Sequence, residues 1–61
     1  MITWKDYYVR GKTNYGHLHC ADLAQARKIN DIIRGQIWER NYTVNSDGSY
    51  FATDKFIEEK D

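Results

Sequence analysis

The sequence predicts an α+β domain: a small antiparallel sheet in ββαββ order, one main helix packed on one face, and a short C-terminal helix. Three observations carry that expectation. A stretch rich in β-branched and aromatic residues, Ile2–Arg10, precedes a turn cluster. A single amphipathic stretch begins at Asp22. An Asp-Gly pair, Asp47-Gly48, lies between two short apolar runs. The 61 residues are read as one domain, 1–61.

Ile2–Arg10 (ITWKDYYVR) reads as the first strand, with Thr3, Lys5, Tyr7 and Val9 on one face and Ile2, Trp4, Asp6 and Tyr8 on the other. Gly11–Asn14 forms a turn, because Gly and Asn tolerate positive φ. A second strand, Tyr15–Cys20, then turns Leu18 and Cys20 to the core and Tyr15, His17 and His19 away from it. Asp22 caps the helix, and Gln25 completes a pattern like a capping box. Leu23, Ala26, Ile29, Ile33 and Ile37 fall in one stripe at helical spacing, which carries the expected helix on to Arg40-Asn41. Asn30 lies inside that stripe, so its amide needs a partner. Arg34 and Arg40 suit the negative end of the helix dipole. Tyr42–Val44 and Ser49–Ala52 form the last hairpin around Asn45–Gly48, since Asp-Gly supports hairpin turns. Thr53 or Asp54 caps the final helix, Lys55–Lys60, pinned by Phe56 and Ile57.

Composition narrows the function. Nine Lys or Arg balance nine Asp or Glu, so the formal net charge is zero. That makes duplex nucleic acid and anionic membranes poor partners. The start at Met1 without a basic and apolar leader, the absence of a long apolar run, and a lone cysteine point to a cytoplasmic protein. A chain this short buries only about 60% of its unfolded surface. With no internal disulfide possible, its nine aromatic residues must serve packing, self-association or both.

No catalytic or metal-ligand set assembles. His17 and His19 share a strand face, but Cys20 points the other way, so neither a three-ligand metal site nor a Cys–His dyad forms within one chain. We expect no cofactor, no metal and no enzymatic activity. Gly11-Lys12-Thr13 matches the end of a phosphate loop, yet Asp6 stands where the earlier glycine belongs, and no helix follows. Asn45, Asp47 and Ser49 alternate like calcium ligands, but Phe56 occupies the position of the final Glu. Asn41-Tyr42-Thr43 is a glycosylation sequon without meaning in a cytosolic chain.

Trp38 and Ile32 carry the sharpest positive expectation. On one long helix they lie roughly 120° to either side of Ala26, flanking the core stripe. Gly35 lies between them on the outer face and admits another backbone. The expected partner-binding set is Trp38, Ile32, Gly35 and Arg34 on the helix, with Tyr7, Tyr8 and Tyr15 on the uncovered sheet face. The expected function is a non-enzymatic, homodimeric interaction protein. It would occlude a host protein's surface, as small accessory proteins of phages and mobile elements do. A second reading is a nucleotide-like anion held at a dimer interface, with His17, His19, Lys12 and Arg10 as ligands. A third is a single-stranded nucleic-acid binder stacking bases on Tyr7, Tyr15, Tyr50 and Phe51.

Overall fold

A computed structural model describes residues 1–13 and 16–60. The elements are β1 (Ile2–Arg10), β2 (His17–Cys20), α1 (Leu23–Ile33), β3 (Gln36–Val44) and β4 (Tyr50–Glu59), in ββαββ order. The strands form one antiparallel sheet ordered β2-β1-β3-β4. Tyr7 stands opposite Cys20 and Glu39, and Val9 stands opposite Leu18 and Ile37.

The helix starts as its sequence dictates. The Asp22 carboxylate accepts a hydrogen bond from the Gln25 amide at 2.8 Å, and Gln25 Oε1 accepts one from the Ala21 amide at 3.3 Å. It stops at Ile33, seven residues short of the expected Arg40. Arg34 turns left-handed, at φ 59° and ψ 45°, and its N–H donates to the Asn30 carbonyl. The buried Asn30 side chain then holds Gly35 from both sides. Its Oδ1 accepts from the Gly35 amide at 2.8 Å, and its Nδ2 donates to the Gly35 carbonyl at 3.1 Å. This is the partner that an amide in the core stripe requires, since an unpaired buried polar group is costly. A side chain at Gly35 would place its Cβ 2.1 Å from the Arg10 carbonyl oxygen, so only glycine allows the chain to turn here.

After Gly35 the pattern changes from helical to alternating. Ile37 is fully buried among Val9, Cys20 and Ala26, while Trp38 faces the other side of the sheet. Ile37 fits a helical stripe and an alternating strand equally well, which is why the expected helix runs too far.

The expected C-terminal helix is absent; Lys55–Glu59 is the end of β4. Glu and Lys favour helices, but pairing with β3 overrides that preference. A register shift beside Ile37 and Trp38 lets Ile57 pack on the core while Phe56 meets Trp38 on the opposite face. The strand end is tied to the helix layer by Arg27–Glu58 at 2.8 Å, Lys60–Asp31 at 2.7 Å, and the Lys60 amide on the Gly35 carbonyl at 2.9 Å.

The three long strands outrun the helix. The molecule measures 42 × 22 × 14 Å, and its radius of gyration is 13.0 Å. A compact domain of this length would have about 10.5 Å. Among the described residues, no helix is long and apolar enough to cross a membrane.

Candidate functional site: the open aromatic face

The helix covers one sheet face, and no element of the described chain covers the other. Alternation and register sort the open face into bands running across the strands. One band holds His19, Tyr8, Trp38 and Phe56. The next holds Asp6, Arg40 and Asp54. Beyond it come Trp4, Tyr42 and Ala52, then Ile2, Val44 and Tyr50.

Tyr8 is the centre. Its residue is only 4% exposed, because neighbouring side chains enclose it. His17 stacks on the ring at 4.6 Å and 17°, His19 tilts against it at 5.8 Å, and Trp38 lies parallel at 6.5 Å. The Arg40 guanidinium sits 5.1 Å from the ring centroid. The Tyr8 hydroxyl donates to Asp54 Oδ2 at 3.1 Å. Burial, then the hydrogen bond to the Asp54 carboxylate, pushes the phenol above its ordinary pKa.

Arg40 grips Asp54 with two bonds, Nε to Oδ1 at 2.7 Å and Nη2 to Oδ2 at 3.1 Å. Those bonds are the main reason the Asp54 carboxyl lies below the usual range. In the far aromatic band Trp4 stacks on Tyr42 at 4.9 Å, and the Tyr42 hydroxyl donates to the Asp6 carboxylate at 3.3–3.4 Å. A shallow apolar groove runs from Trp4 and Tyr42 to Val44, Tyr50 and Ala52.

The structure redistributes the residues singled out from sequence. Trp38 is on β3, not on a helix, and its indole N–H donates to Gln36 Oε1 at 3.1 Å. Gly35 is buried behind the helix end, so it offers no outer face to a partner. Arg34 is the helix C-cap. Ile32 is on the helix and 84% exposed, on a different surface from Trp38. Tyr7 packs towards the helix layer, so only Tyr8 of that adjacent pair faces the open side. Tyr15 lies outside the described residues. Tyr50 and Phe51 are neighbours on one strand and point to opposite faces, so they cannot form one stacking platform.

Of the expected anion ligands, His17 and His19 gather at Tyr8, Arg10 stands opposite His17, and Lys12 is exposed in the turn region. Cys20 is in the core beneath them, where burial raises its thiol pKa. Among the described residues, no three His, Cys, Asp or Glu side chains group as metal ligands. Asn45, Asp47 and Ser49 bond to one another across the turn.

Sequence reasoning missed Arg40, Asp54, Trp4, Tyr42 and Phe56. The alternation of Trp38, Arg40, Tyr42 and Val44 was the available signal. No family model matches this chain, and neither does any curated protein or solved structure.

Proposed function

We propose that the chain is a non-enzymatic interaction protein that occludes a protein partner by docking it on the open aromatic face. The observation that carries this reading is the banded surface of Trp4, Tyr42, Trp38 and Phe56 around the Arg40–Asp54 pair. Interface hot spots are rich in Trp, Tyr and Arg held in rigid surroundings, and here the rings are held by stacking and hydrogen bonds before any partner arrives. The 42 × 22 Å extents of the molecule bound the face at roughly 900 Å², the same order as the about 800 Å² buried on each side of a standard interface. The partner surface that fits is flat and apolar, with a polar strip at its middle.

Charge favours a protein over an anionic polymer. Arg40 is engaged by Asp54, and Asp6 lies in the same band, so the face lacks the positive groove that single-stranded nucleic acid requires.

The test is site-specific photo-crosslinking in cells that express the protein. A benzophenone side chain at Trp4 or Phe56 should yield one discrete adduct that the same probe at Lys28 on the helix does not. Trp38→Ala should then weaken binding of that partner more than about tenfold while the fold persists. Equal adducts from the helix, or a large thermal shift with a nucleotide and no adduct, would reject protein docking.

A further inference from the structure

Independently of what docks on the open face, we propose that two copies join edge to edge through β4, antiparallel and with Thr53 on the two-fold axis. The product is one continuous sheet of eight strands.

β4 is the outer strand of the sheet. Its hairpin loop decides which backbone groups it offers. The Asn45 amide donates to the Ser49 carbonyl at 2.8 Å, and the Gly48 amide donates to the Asn45 carbonyl at 3.1 Å, with Gly48 at φ 91°. From that bonded pair the antiparallel ladder alternates. Phe51, Thr53 and Lys55 therefore bond to β3, while Tyr50, Ala52, Asp54 and Phe56 turn their N–H and C=O groups outward. Among the described residues no other strand takes those bonds.

Natural edge strands are usually blunted by proline, bulges, short length or charged side chains; the charges within Tyr50–Phe56 are Asp54, which Arg40 engages, and Lys55. The chain has no proline, β4 is ten residues long, and the register shift lies beyond Phe56. Tyr50–Phe56 is thus a long, regular edge with one unengaged charge, Lys55, and it carries three large exposed side chains, Tyr50, Phe51 and Phe56.

Side-chain pairing selects the register. For each sheet face to continue across the join, the axis must pass through a residue, not between two. Centring on Asp54 opposes it with itself, and centring on Lys55 does the same, so both place like charges together. Centring on Ala52 exchanges bonds only at Ala52–Ala52 and Tyr50–Asp54, and sets Phe56 opposite Gly48 in the turn, so its outward groups find no strand partner. Centring on Thr53 pairs Tyr50 with Phe56, Phe51 with Lys55, and Ala52 with Asp54. That register sets no like charges opposite one another, adds two aromatic contacts, and lets Tyr50, Ala52, Asp54 and Phe56 exchange bonds. Both helices then lie on one side, and the two open faces merge on the other.

Cysteine scanning of the full chain tests the register; the native Cys20 is buried and stays silent. Thr53 falls at a non-bonded pair, where Cα atoms approach about 4.5 Å, within disulfide range. Thr53→Cys should cross-link on mild oxidation. Phe51→Cys and Lys55→Cys should each stay uncross-linked alone and join when mixed. Ala52→Pro removes an amide that points away from β3. It should raise the dimer dissociation constant at least about tenfold while the melt stays cooperative. A wild-type chain that sediments as a monomer at every concentration overturns the proposal. So does equal cross-linking of Thr3→Cys on β1. A monomer that still gives face-specific adducts from Trp4 and Phe56 would sink the edge pairing and leave the docking face standing.

Discussion

The two ends of the sheet are built from the same three long strands and solve different problems. At the covered end, Val9, Cys20, Ala26 and Ile37 meet beneath α1 and are excluded from water. At the free end, Ile2, Trp4, Tyr50 and Phe51 stay more than half exposed. That end is held by cross-strand pairs: Trp4 on Tyr42, Tyr42 to Asp6, and Arg40 to Asp54. Burial of a core side chain contributes about 1.5–3 kcal/mol, whereas a cross-strand pair contributes roughly 0.2–1 kcal/mol. Stability is therefore concentrated at one end. The other end is a surface kept in shape by weaker contacts, and such surfaces are available to partners.

Truncating one residue at each end should break this comparison most clearly if it is wrong. Ile37→Ala should cost about 3 kcal/mol, because a fully buried isoleucine leaves a cavity. A chain of this size has roughly 3–9 kcal/mol in total, so most of its margin would go. Trp4→Ala removes a larger side chain, yet should cost only about 1 kcal/mol, the worth of one aromatic pair. Urea melts of the two variants decide the matter. Equal losses would mean that the free end belongs to the core.

Acid sharpens the comparison on a smaller scale. The Asp54 carboxyl is held below its ordinary pKa first by the hydrogen bonds of Arg40 and further by that of Tyr8, against the opposing effect of burial. A depressed folded-state value means that the pair stabilises the fold above the unfolded pKa of about 3.9. That contribution is lost as pH falls through the lower folded value. Thermal melts of the wild type and Asp54→Asn should therefore differ near neutrality and converge in strong acid. Both carboxylate oxygens face Arg40 and Tyr8, with His17 acting on the same group at longer range. A gap that stays constant across the acid range would show that Asp54 acts through packing alone.

What the sequence disclosed follows from how local each signal is. The Asp22 cap, the Asp-Gly turn and the alternation of β1 depend on neighbours within a few residues, and each is readable. The helix end was harder. It is set by Asn30 gripping Gly35 and by the Arg10 carbonyl approaching from another strand, and neither contact is visible in a linear pattern. A pattern that carries the helix through Ile37 takes Trp38 with it and so removes a large ring from the open face. Lys55–Lys60 carries good helix formers, and only pairing with β3 makes Lys55–Glu59 a strand. The candidate site was therefore half legible. His17 and His19 follow from parity; Tyr8 is named only together with its neighbour Tyr7, which the structure turns to the other face, while Arg40 and Asp54, fourteen residues apart, need the register of β3 and β4.

The smallest expected effect belongs to Ile32, and it tests which surface matters. The residue is 84% exposed on the helix, so its side chain has almost nothing to lose on folding. Single exposed apolar residues are ordinary on protein surfaces and need no partner to explain them. It is also remote in kind from the open face: α1 lies across the sheet from the Tyr8 and Trp4 bands. Ile32→Lys should change stability by no more than about 0.5 kcal/mol. It should leave the Thr53→Cys cross-link and the Trp4 adduct intact. Loss of either after this substitution would move the interaction surface to the helix, and the open aromatic face would then need another explanation.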